Sequence, residues 1–293
     1  MPSPENPQFE QQPTLTTEPQ LPPPTYDPLT AGSLPPAAPF FTATPPPRDP
    51  VWTGWDVLLI AGLAFISMLV LQLIVLVGAQ LLIYPRENMA DVAQKPILLL
   101  ISQFLIYIPV IICMVLLVRS KYDAPFWKSI HWNWPERRWA YLALLLGAVM
   151  LIVLSLLQIV LPMPKDTPFE HLFDRPRDAY LLALLAVTIG PLMEELFFRG
   201  FMYPVLERRM GAVWAVALTA LPFGLLHLQQ YGWAWAAGLV IFLVGVVCGV
   251  VRAVTKSVAA SFLVHVGYNG TQMLIAIVAT HGFMHMEKAL MRF

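Results

Sequence analysis

The stretch Pro191-Leu192-Met193-Glu194-Glu195-Leu196-Phe197-Phe198-Arg199-Gly200 places two carboxylates and one guanidinium inside an otherwise apolar segment. A charged side chain at the bilayer centre costs at least about 2.5–3.5 kcal/mol on insertion scales, so these charges need partners or a function. On a helix, Glu195 and Arg199 lie one turn apart on the same face, in the favourable order of acid before base. Glu194 is rotated by about 100° from Glu195 and has no such local partner. The stretch therefore predicts one paired and one free carboxylate inside a membrane.

The composition of the whole chain is that of a membrane protein. Hydrophobic residues make up 57% of the 293 residues and charged residues only 12%, about half of the charged fraction that is usual in soluble proteins. The formal net charge is zero, which gives no reason to expect binding of nucleic acid. Cys113 and Cys248 both lie in apolar segments, and two such thiols form neither a disulfide framework nor a zinc site. These features predict an all-α integral membrane protein.

Proline content and hydropathy divide the chain into four parts. Residues 1–50 hold 16 of the 28 prolines, which predicts a disordered, Pro-rich tail because proline disfavours helix. Residues 51–178 and 179–280 contain about seven apolar segments long enough to cross a bilayer, and residues 281–293 form a C-terminal end. The first three segments carry no acidic, basic or histidine side chain and are predicted to be scaffold. The segments run 57–83, 97–118, 139–161, 179–205, 212–228, 234–251 and 257–280.

The Lys and Arg residues outside the apolar segments predict the orientation of the chain. Ten of them lie in the tail and in the loops after the second, fourth and sixth segments, against seven on the opposite side. Because positive charge favours the cytoplasmic side, the N-terminus is predicted to be cytoplasmic. In a prokaryotic cell, the membrane would be the plasma (inner) membrane.

Two histidines and one asparagine are the polar side chains that could join Glu194. His227 lies in the fifth segment, and His265 and Asn269 lie one turn apart in the seventh. Glu194 precedes the turn near Met210 by about 15 residues and His227 follows it by about 17, so two antiparallel helices would bring both to similar depth. His265 lies about nine residues into the last segment, also at bilayer depth. The spacing predicts one buried polar site formed by these four residues.

Each of these residues also has a structural explanation on its own. A single intramembrane histidine or asparagine often makes interhelical hydrogen bonds, and Glu195–Arg199 alone fits a structural ion pair. Taken together, they describe the hydrolysis of an amide by activated water. A carboxylate can act as general base, one imidazole can orient the water, and a second imidazole with an amide can donate to the oxyanion. The signatures of serine hydrolases and of helical zinc proteases are absent from the sequence.

Three motifs in order carry a resemblance to a known family. Glu194-Glu195-x-x-x-Arg199, Phe223-x-x-x-His227 and His265-x-x-x-Asn269 resemble the motifs of the CPBP (Abi) intramembrane proteases. That group includes the type II CAAX prenyl endopeptidases and bacteriocin-immunity relatives. The resemblance covers residues 179–280 and implies that they are a helical catalytic core with its active site inside the bilayer.

The resemblance also implies a role for each motif residue. Glu194 would activate the water, and His227 would help to hold it. His265 and Asn269 would stabilise the oxyanion. The implied catalytic set is Glu194, Glu195, His227, His265 and Asn269, with Arg199 and Phe223 as supporting residues.

The resemblance leaves the activation of the water open between two mechanisms. The family is commonly labelled as metalloproteases, and a zinc ion held by Glu194, His227 and His265 would have an open position for water. The same side chains can also position a water without a metal. No cofactor is therefore predicted beyond this zinc alternative, and the enzyme would be a glutamate-dependent or a metallo-endopeptidase.

The predicted partners are membrane lipids and a membrane-associated protein or peptide substrate, prenylated CAAX-type chains among them, but no nucleic acid. Two other function classes fit the same residues. A non-catalytic scaffold or bacteriocin-immunity protein would keep the polar core for packing. A transporter would use Glu194, His227 and His265 to relay protons or to bind a cation, although no internal repeat indicates alternating access.

Overall fold

A computed structural model describes residues 49–164, 167, 168, 170–173 and 175–284. Within these ranges the chain forms helices joined by turns and loops, without a strand, so the all-α prediction is confirmed. The predicted Pro-rich tail lies outside the described residues apart from Asp49 and Pro50. Most of the predicted C-terminal end, from residue 285 onward, lies outside them as well.

Five α-helices and a π-helical turn after the third (Leu117–Lys121) occupy the first half of the described chain, and local sequence signals explain where the α-helices begin. The Asp56 carboxylate accepts a hydrogen bond of 2.8 Å from the backbone N–H of Thr53, which caps the first helix. Pro96 is the first residue of the third helix, a position where the N–H that proline lacks would be unpaired anyway. The helices are α1 (Gly54–Leu82), α2 (Met89–Ala93), α3 (Pro96–Leu116), α4 (Phe126–Ser129) and α5 (Arg137–Gln158).

Five more α-helices, one π-helical segment and two short 3₁₀ helices (Glu170–Phe173 and Leu228–Tyr231) form the second half. Proline again opens the first of these α-helices, at Pro176. Ser257 caps the last helix, because its hydroxyl accepts a hydrogen bond of 3.1 Å from the backbone N–H of Ala260. The elements are α6 (Pro176–Val187), α7 (Ile189–Glu195), the π-helical segment (Leu196–Met202), α8 (Tyr203–His227), α9 (Trp235–Thr255) and α10 (Val258–Ala279).

Six helical runs among the described residues are long and apolar enough to cross a membrane, and the chain is a multi-pass membrane protein. The sequence predicts about seven segments, and the difference lies in the single 56-residue run that spans residues 176–231. Within that run, Gly211 has φ 83° and ψ 167°, a backbone conformation that is not helical and that glycine adopts most readily.

The chain reverses direction within this run. A straight helix from Glu194 to His227 would be about 50 Å long, yet the Nε2 atom of His227 lies 3.8 Å from the Glu194 carboxylate. The reversal at Gly211 separates the two predicted segments, 179–205 and 212–228. It is also what brings Glu194 and His227 together.

Close packing fixes the helix that carries His265 and Asn269. α10 packs along α5, and α8 packs along α9. A methyl group added to Gly267 of α10 would lie 2.3 Å from the carbonyl oxygen of Leu144 in α5, so only glycine fits this contact. Small residues commonly allow such close approach between membrane helices. The contact sets the position of the residues on either side of Gly267.

Candidate active site

Glu194 and Glu195 end a short helix that has an irregularity on each side. Thr188, before α7, has φ −117° and ψ −81°, outside the helical region. The π-helical segment begins at Leu196, directly after Glu195. π-Helical turns are frequent at functional sites, since the extra residue in the turn changes where the following side chains point. The two carboxylates therefore lie at a point where the backbone departs from a regular α-helix.

Glu195 is fully buried and its carboxylate is occupied by three partners. Arg199 Nη1 donates to Oε1 at 2.9 Å, and the Ser261 hydroxyl donates to Oε2 at 2.6 Å. The Nδ1 atom of His265 lies 3.1 Å from Oε1. The ion pair that the sequence spacing predicts is thus present, with two further contacts from α10. We call Glu195, Arg199 and Ser261 the support network.

Arg199 connects the support network to α9. Its Nη2 atom donates to the carbonyl oxygen of Gly245 at 2.7 Å, and Arg252 of α9 donates back to the Arg199 carbonyl at 3.1 Å. The guanidinium also lies over the ring of Phe223, 4.9 Å from its centroid. A buried charge needs such compensation, because removing one partner leaves the other charge unpaired in an apolar surrounding.

Glu194 differs from its neighbour because its carboxylate is accessible. About a quarter of its side chain, 25%, is exposed, against 0% for Glu195. The Nε2 atom of His227 lies 3.8 Å from Oε1, and the Nε2 atom of His265 lies 3.7 Å from Oε2. These separations are too long for direct hydrogen bonds and suit a water that contacts both sides. We call Glu194, His227 and His265, which come from three different helices, the open triad.

The hydrogen bonds of the two imidazoles indicate which nitrogen carries the proton. His227 Nδ1 lies 2.7 Å from the Phe223 carbonyl oxygen, which can only accept, so Nδ1 is the donor. His265 Nδ1 faces the Glu195 carboxylate, which is also an acceptor when ionised. In the neutral imidazoles, both Nε2 atoms therefore present lone pairs toward Glu194, an assignment that follows from the partners.

Phe223 packs against both imidazoles of the open triad. Its ring centroid lies 4.8 Å from that of His227 and 5.7 Å from that of His265, the latter in an edge-on arrangement. The Phe223 ring is almost completely buried. Its packing limits the rotation of both imidazole rings.

Asn269 lies one turn beyond His265 but takes part in a different contact. Its Nδ2 atom donates to the carbonyl oxygen of Ala186 at 2.7 Å. Ala186 belongs to the last turn of α6, where carbonyl groups lack a partner within the helix. Among the described residues, no hydrogen bond joins Asn269 to Glu194. Asn269 thus connects α10 to the break before α7. Its second amide hydrogen has no acceptor among the residues that the structure describes.

The donor set of the open triad fits a zinc ion. Two imidazole nitrogens and one carboxylate oxygen are common zinc ligands, and each Nδ1 is held by an oxygen, as is usual in zinc sites. Ligand atoms about 2.0 Å from a tetrahedral zinc lie about 3.3 Å apart. The separations of 3.8 Å from His227 and 3.7 Å from His265 are measured to different oxygens of Glu194, so they do not by themselves place three ligand atoms around one ion.

A second group of candidate ligands is Glu195, Cys248 and His265. Their ligand atoms all lie within 4.8 Å of one another, so this buried group could hold a metal by distance alone. Glu195, however, already binds the Arg199 guanidinium. The positive charge of that guanidinium opposes the binding of a cation beside it. On charge alone, the open triad is the more suitable of the two donor sets, because its carboxylate is not bound to a guanidinium.

Tyr107 of α3 lies next to the site, although its segment is predicted from the sequence to be scaffold. A methyl group added to Gly190 would lie 3.8 Å from the Tyr107 hydroxyl oxygen. Gln103 donates a hydrogen bond of 2.8 Å to that oxygen. The sequence signal that could have found this pair is a Gln and a Tyr one turn apart in a strongly apolar segment.

Comparison with known proteins finds one family to which the helices that carry this site are similar. The family model described as "Type II CAAX prenyl endopeptidase Rce1-like" matches residues 176–271, about a third of the chain. The matched region runs from α6 into α10 and contains both the support network and the open triad. No curated protein and no solved structure matches the chain.

Proposed function

We propose that this chain, whose residues 176–271 belong to the type II CAAX prenyl endopeptidase Rce1-like family, is an intramembrane endopeptidase that uses Glu194 to activate water. One observation carries the proposal. Of two adjacent glutamates, Glu195 is saturated by partners, while Glu194 faces two imidazole nitrogens at 3.7 and 3.8 Å and stays accessible. An accessible carboxylate at this depth, beside two acceptor nitrogens, is arranged to hold and deprotonate a water.

In the proposed reaction, Glu194 removes a proton from a water that also donates a hydrogen bond to His227 Nε2. The water oxygen forms a bond to the carbonyl carbon of the peptide, and the π electrons of that carbonyl move onto its oxygen. When the tetrahedral intermediate collapses, the C–N bond breaks and Glu194 returns its proton to the leaving amine. The products are a carboxylic acid and an amine, so one water is consumed.

The oxyanion needs hydrogen-bond donors at the site. His265 becomes a donor at Nε2 only when its imidazole is doubly protonated, because Nδ1 already faces Glu195. When the oxyanion forms, Glu194 carries the proton of the water, so the ionised carboxylate that faces the His265 ring is that of Glu195. The amide hydrogen of Asn269 that does not bind Ala186 is a second donor. We therefore assign His265 and Asn269 to the oxyanion.

If a zinc ion is bound, Glu194, His227 and His265 would hold it. The metal would supply Lewis-acid activation of the water or of the carbonyl. The support network would have the same task with or without the metal, which is to fix the orientation of His265 through Glu195.

We assign the substrate to the class of membrane-associated peptides and proteins, with prenylated CAAX-type chains as the first candidates. The Glu194 carboxylate lies between helices of a membrane-spanning bundle, so a substrate that is itself anchored in the bilayer can reach it. We also propose a cytoplasmic N-terminus, with residues 51–178 as the frame for a catalytic region that spans residues 179–280.

The test is a cleavage assay on the purified full-length protein in detergent and in liposomes. Quenched fluorescent peptides are compared with and without a prenylated cysteine, for the wild type and for Glu194→Gln. We expect Glu194→Gln to lower kcat by about 10²–10⁴-fold, the usual contribution of a general base, with an unchanged melting temperature.

The matched control is Glu136→Gln, since 73% of that side chain is exposed at a helix terminus. It should leave both activity and melting temperature unchanged. Full activity of Glu194→Gln would overturn the proposed function. Chelation separates the two mechanisms, because activity that survives chelation indicates a glutamate and water alone, whereas loss that zinc restores indicates the metal.

A further inference from the structure

We propose that Tyr107, which lies outside the family match, is a further catalytic residue whose hydroxyl donates a hydrogen bond to the oxyanion of the tetrahedral intermediate. The proposal rests on the proposed function and adds a donor to the same site. It also gives α3 a part in the chemistry, although the sequence of this helix predicts scaffold.

The position of Tyr107 is set by the packing of α3 against α7. Its side chain packs against the hydrophobic cluster that includes Met193 and Leu196, on either side of the glutamate pair. Its hydroxyl oxygen lies 3.8 Å from the place that a methyl group on Gly190 would occupy. Gly190 precedes Glu194 by one helical turn, so both lie on the same face of α7. The phenol therefore reaches the face that carries the proposed base.

The hydrogen bonding of Tyr107 leaves its proton available. Gln103 Nε2 donates to the Tyr107 oxygen at 2.8 Å, which occupies a lone pair of the phenol. Among the residues that the structure describes, no oxygen accepts a hydrogen bond from the Tyr107 hydroxyl. A phenol that accepts a hydrogen bond becomes a better donor, because neighbouring hydrogen bonds polarise one another. Gln103 thus prepares Tyr107 to donate.

A count of donors and acceptors shows why the site needs this group. The Glu194 carboxylate and the neutral imidazoles of His227 and His265 all present acceptors to the space between them. One amide hydrogen of Asn269 is already used by Ala186. An oxyanion is stabilised only by donors, and a fixed donor is most effective where water is excluded. Tyr107 supplies a neutral donor that does not depend on the protonation of His265.

The test is the variant Tyr107→Phe, which keeps the ring and removes only the hydroxyl. We expect kcat to fall by about 10²-fold, at the lower end of the effect of deleting one oxyanion donor. The KM and the melting temperature should stay close to those of the wild type. Tyr141→Phe is the control, because Tyr141 is an exposed tyrosine of α5, and it should have no effect on kcat.

A phosphinate analogue of the best-cleaved peptide provides a readout that packing alone would not change. Its tetrahedral anion mimics the intermediate, so an oxyanion donor contributes to its binding but not to that of the planar amide. We expect Tyr107→Phe to weaken the binding of the phosphinate by the same factor by which it lowers kcat/KM. The binding of an uncleaved peptide should be unchanged. Gln103→Leu should give a smaller loss in the same direction.

Two outcomes would overturn the proposal. One is that Tyr107→Phe has the kcat and the KM of the wild type. The other is that its kcat is unchanged but its KM is raised, which would assign Tyr107 to substrate binding. Failure of the proposed function is recognised separately, because full activity of Glu194→Gln would show that Glu194 is not the general base. If Glu194→Gln is inactive and Tyr107→Phe is fully active, only the assignment of Tyr107 is wrong.

Discussion

The support network and the open triad each contain one of two adjacent glutamates of α7, and they differ in how these carboxylates are occupied. Glu195 has a guanidinium, a hydroxyl and an imidazole within 3.1 Å. Glu194 instead faces two imidazole nitrogens, the closer at 3.7 Å. Both residues are glutamates in adjacent positions at the same depth. Their different roles therefore come from their neighbours and not from their own chemistry.

The comparison shows how one histidine can serve both regions. His265 presents Nδ1 to Glu195 and Nε2 to Glu194. A carboxylate behind an imidazole fixes the orientation and the protonated nitrogen of the ring, which is a recurrent arrangement at active sites. The support network therefore acts on the open triad through His265. Changes in the support network should appear mainly as lost stability, and changes in the open triad mainly as lost activity.

The largest expected effect on stability is that of Arg199→Ala. This change leaves the Glu195 carboxylate buried without its cation, and breaking a buried ion pair in this way typically costs about 3–5 kcal/mol. We expect a much lower yield and melting temperature in detergent, with lost activity as a consequence. Arg138→Ala is the control, since 72% of the Arg138 side chain is exposed. A variant with normal stability but no activity would contradict the structural role of Arg199.

Gly267→Ala tests the placement of the helix that connects the two regions. The added methyl group would lie 2.3 Å from the backbone oxygen of Leu144, so α10 must move away from α5. Overpacking of this kind costs about 3 kcal/mol at the upper end of its usual range. Gly270→Ala is a matched control on the same helix, because its methyl group would meet only Val187 at an ordinary 3.5 Å.

The measurement for both glycine variants is thermal unfolding in detergent together with kcat. We expect Gly267→Ala to lower the melting temperature and kcat together, because the residues on either side of position 267 would shift. Gly270→Ala should leave both close to the wild type. Equal melting temperatures for the two variants would mean that the α5–α10 contact does not hold the site.

Much of this comparison can be read from the sequence, because it depends on spacing along single helices. The four-residue interval between Glu195 and Arg199 predicts their ion pair, and the missing local partner of Glu194 predicts a free carboxylate. The similar distances of Glu194 and His227 from the turn predicted near Met210 predict their similar depth. These inferences need only the rise and the periodicity of an α-helix.

The contacts that the sequence could not predict depend on how separate helices are placed side by side. Ser261 lies one turn before His265, yet nothing in its own segment indicates that it binds Glu195. Asn269 is expected to face the open triad, but the break after α6 exposes the Ala186 carbonyl, and Asn269 binds there. Tyr107 lies in a segment without formal charges, and only the packing of α3 brings its hydroxyl to Gly190, on the face of α7 that carries Glu194.

The smallest expected effect is that of Ser261→Ala, which tests the two oxygens of Glu195 separately. The Ser261 hydroxyl binds Oε2 of Glu195 at 2.6 Å, whereas Arg199 and His265 both bind Oε1. Removing the hydroxyl should cost about 1.5 kcal/mol, as expected for one hydrogen bond to a charged group. His265 keeps its contact with Oε1, so we expect a lower melting temperature with kcat within about twofold of the wild type, and Ser261→Thr should recover part of the loss. A tenfold fall in kcat at an unchanged melting temperature would mean that the reaction depends on both oxygens of Glu195, and that the support network takes part in the chemistry as well as in the fold.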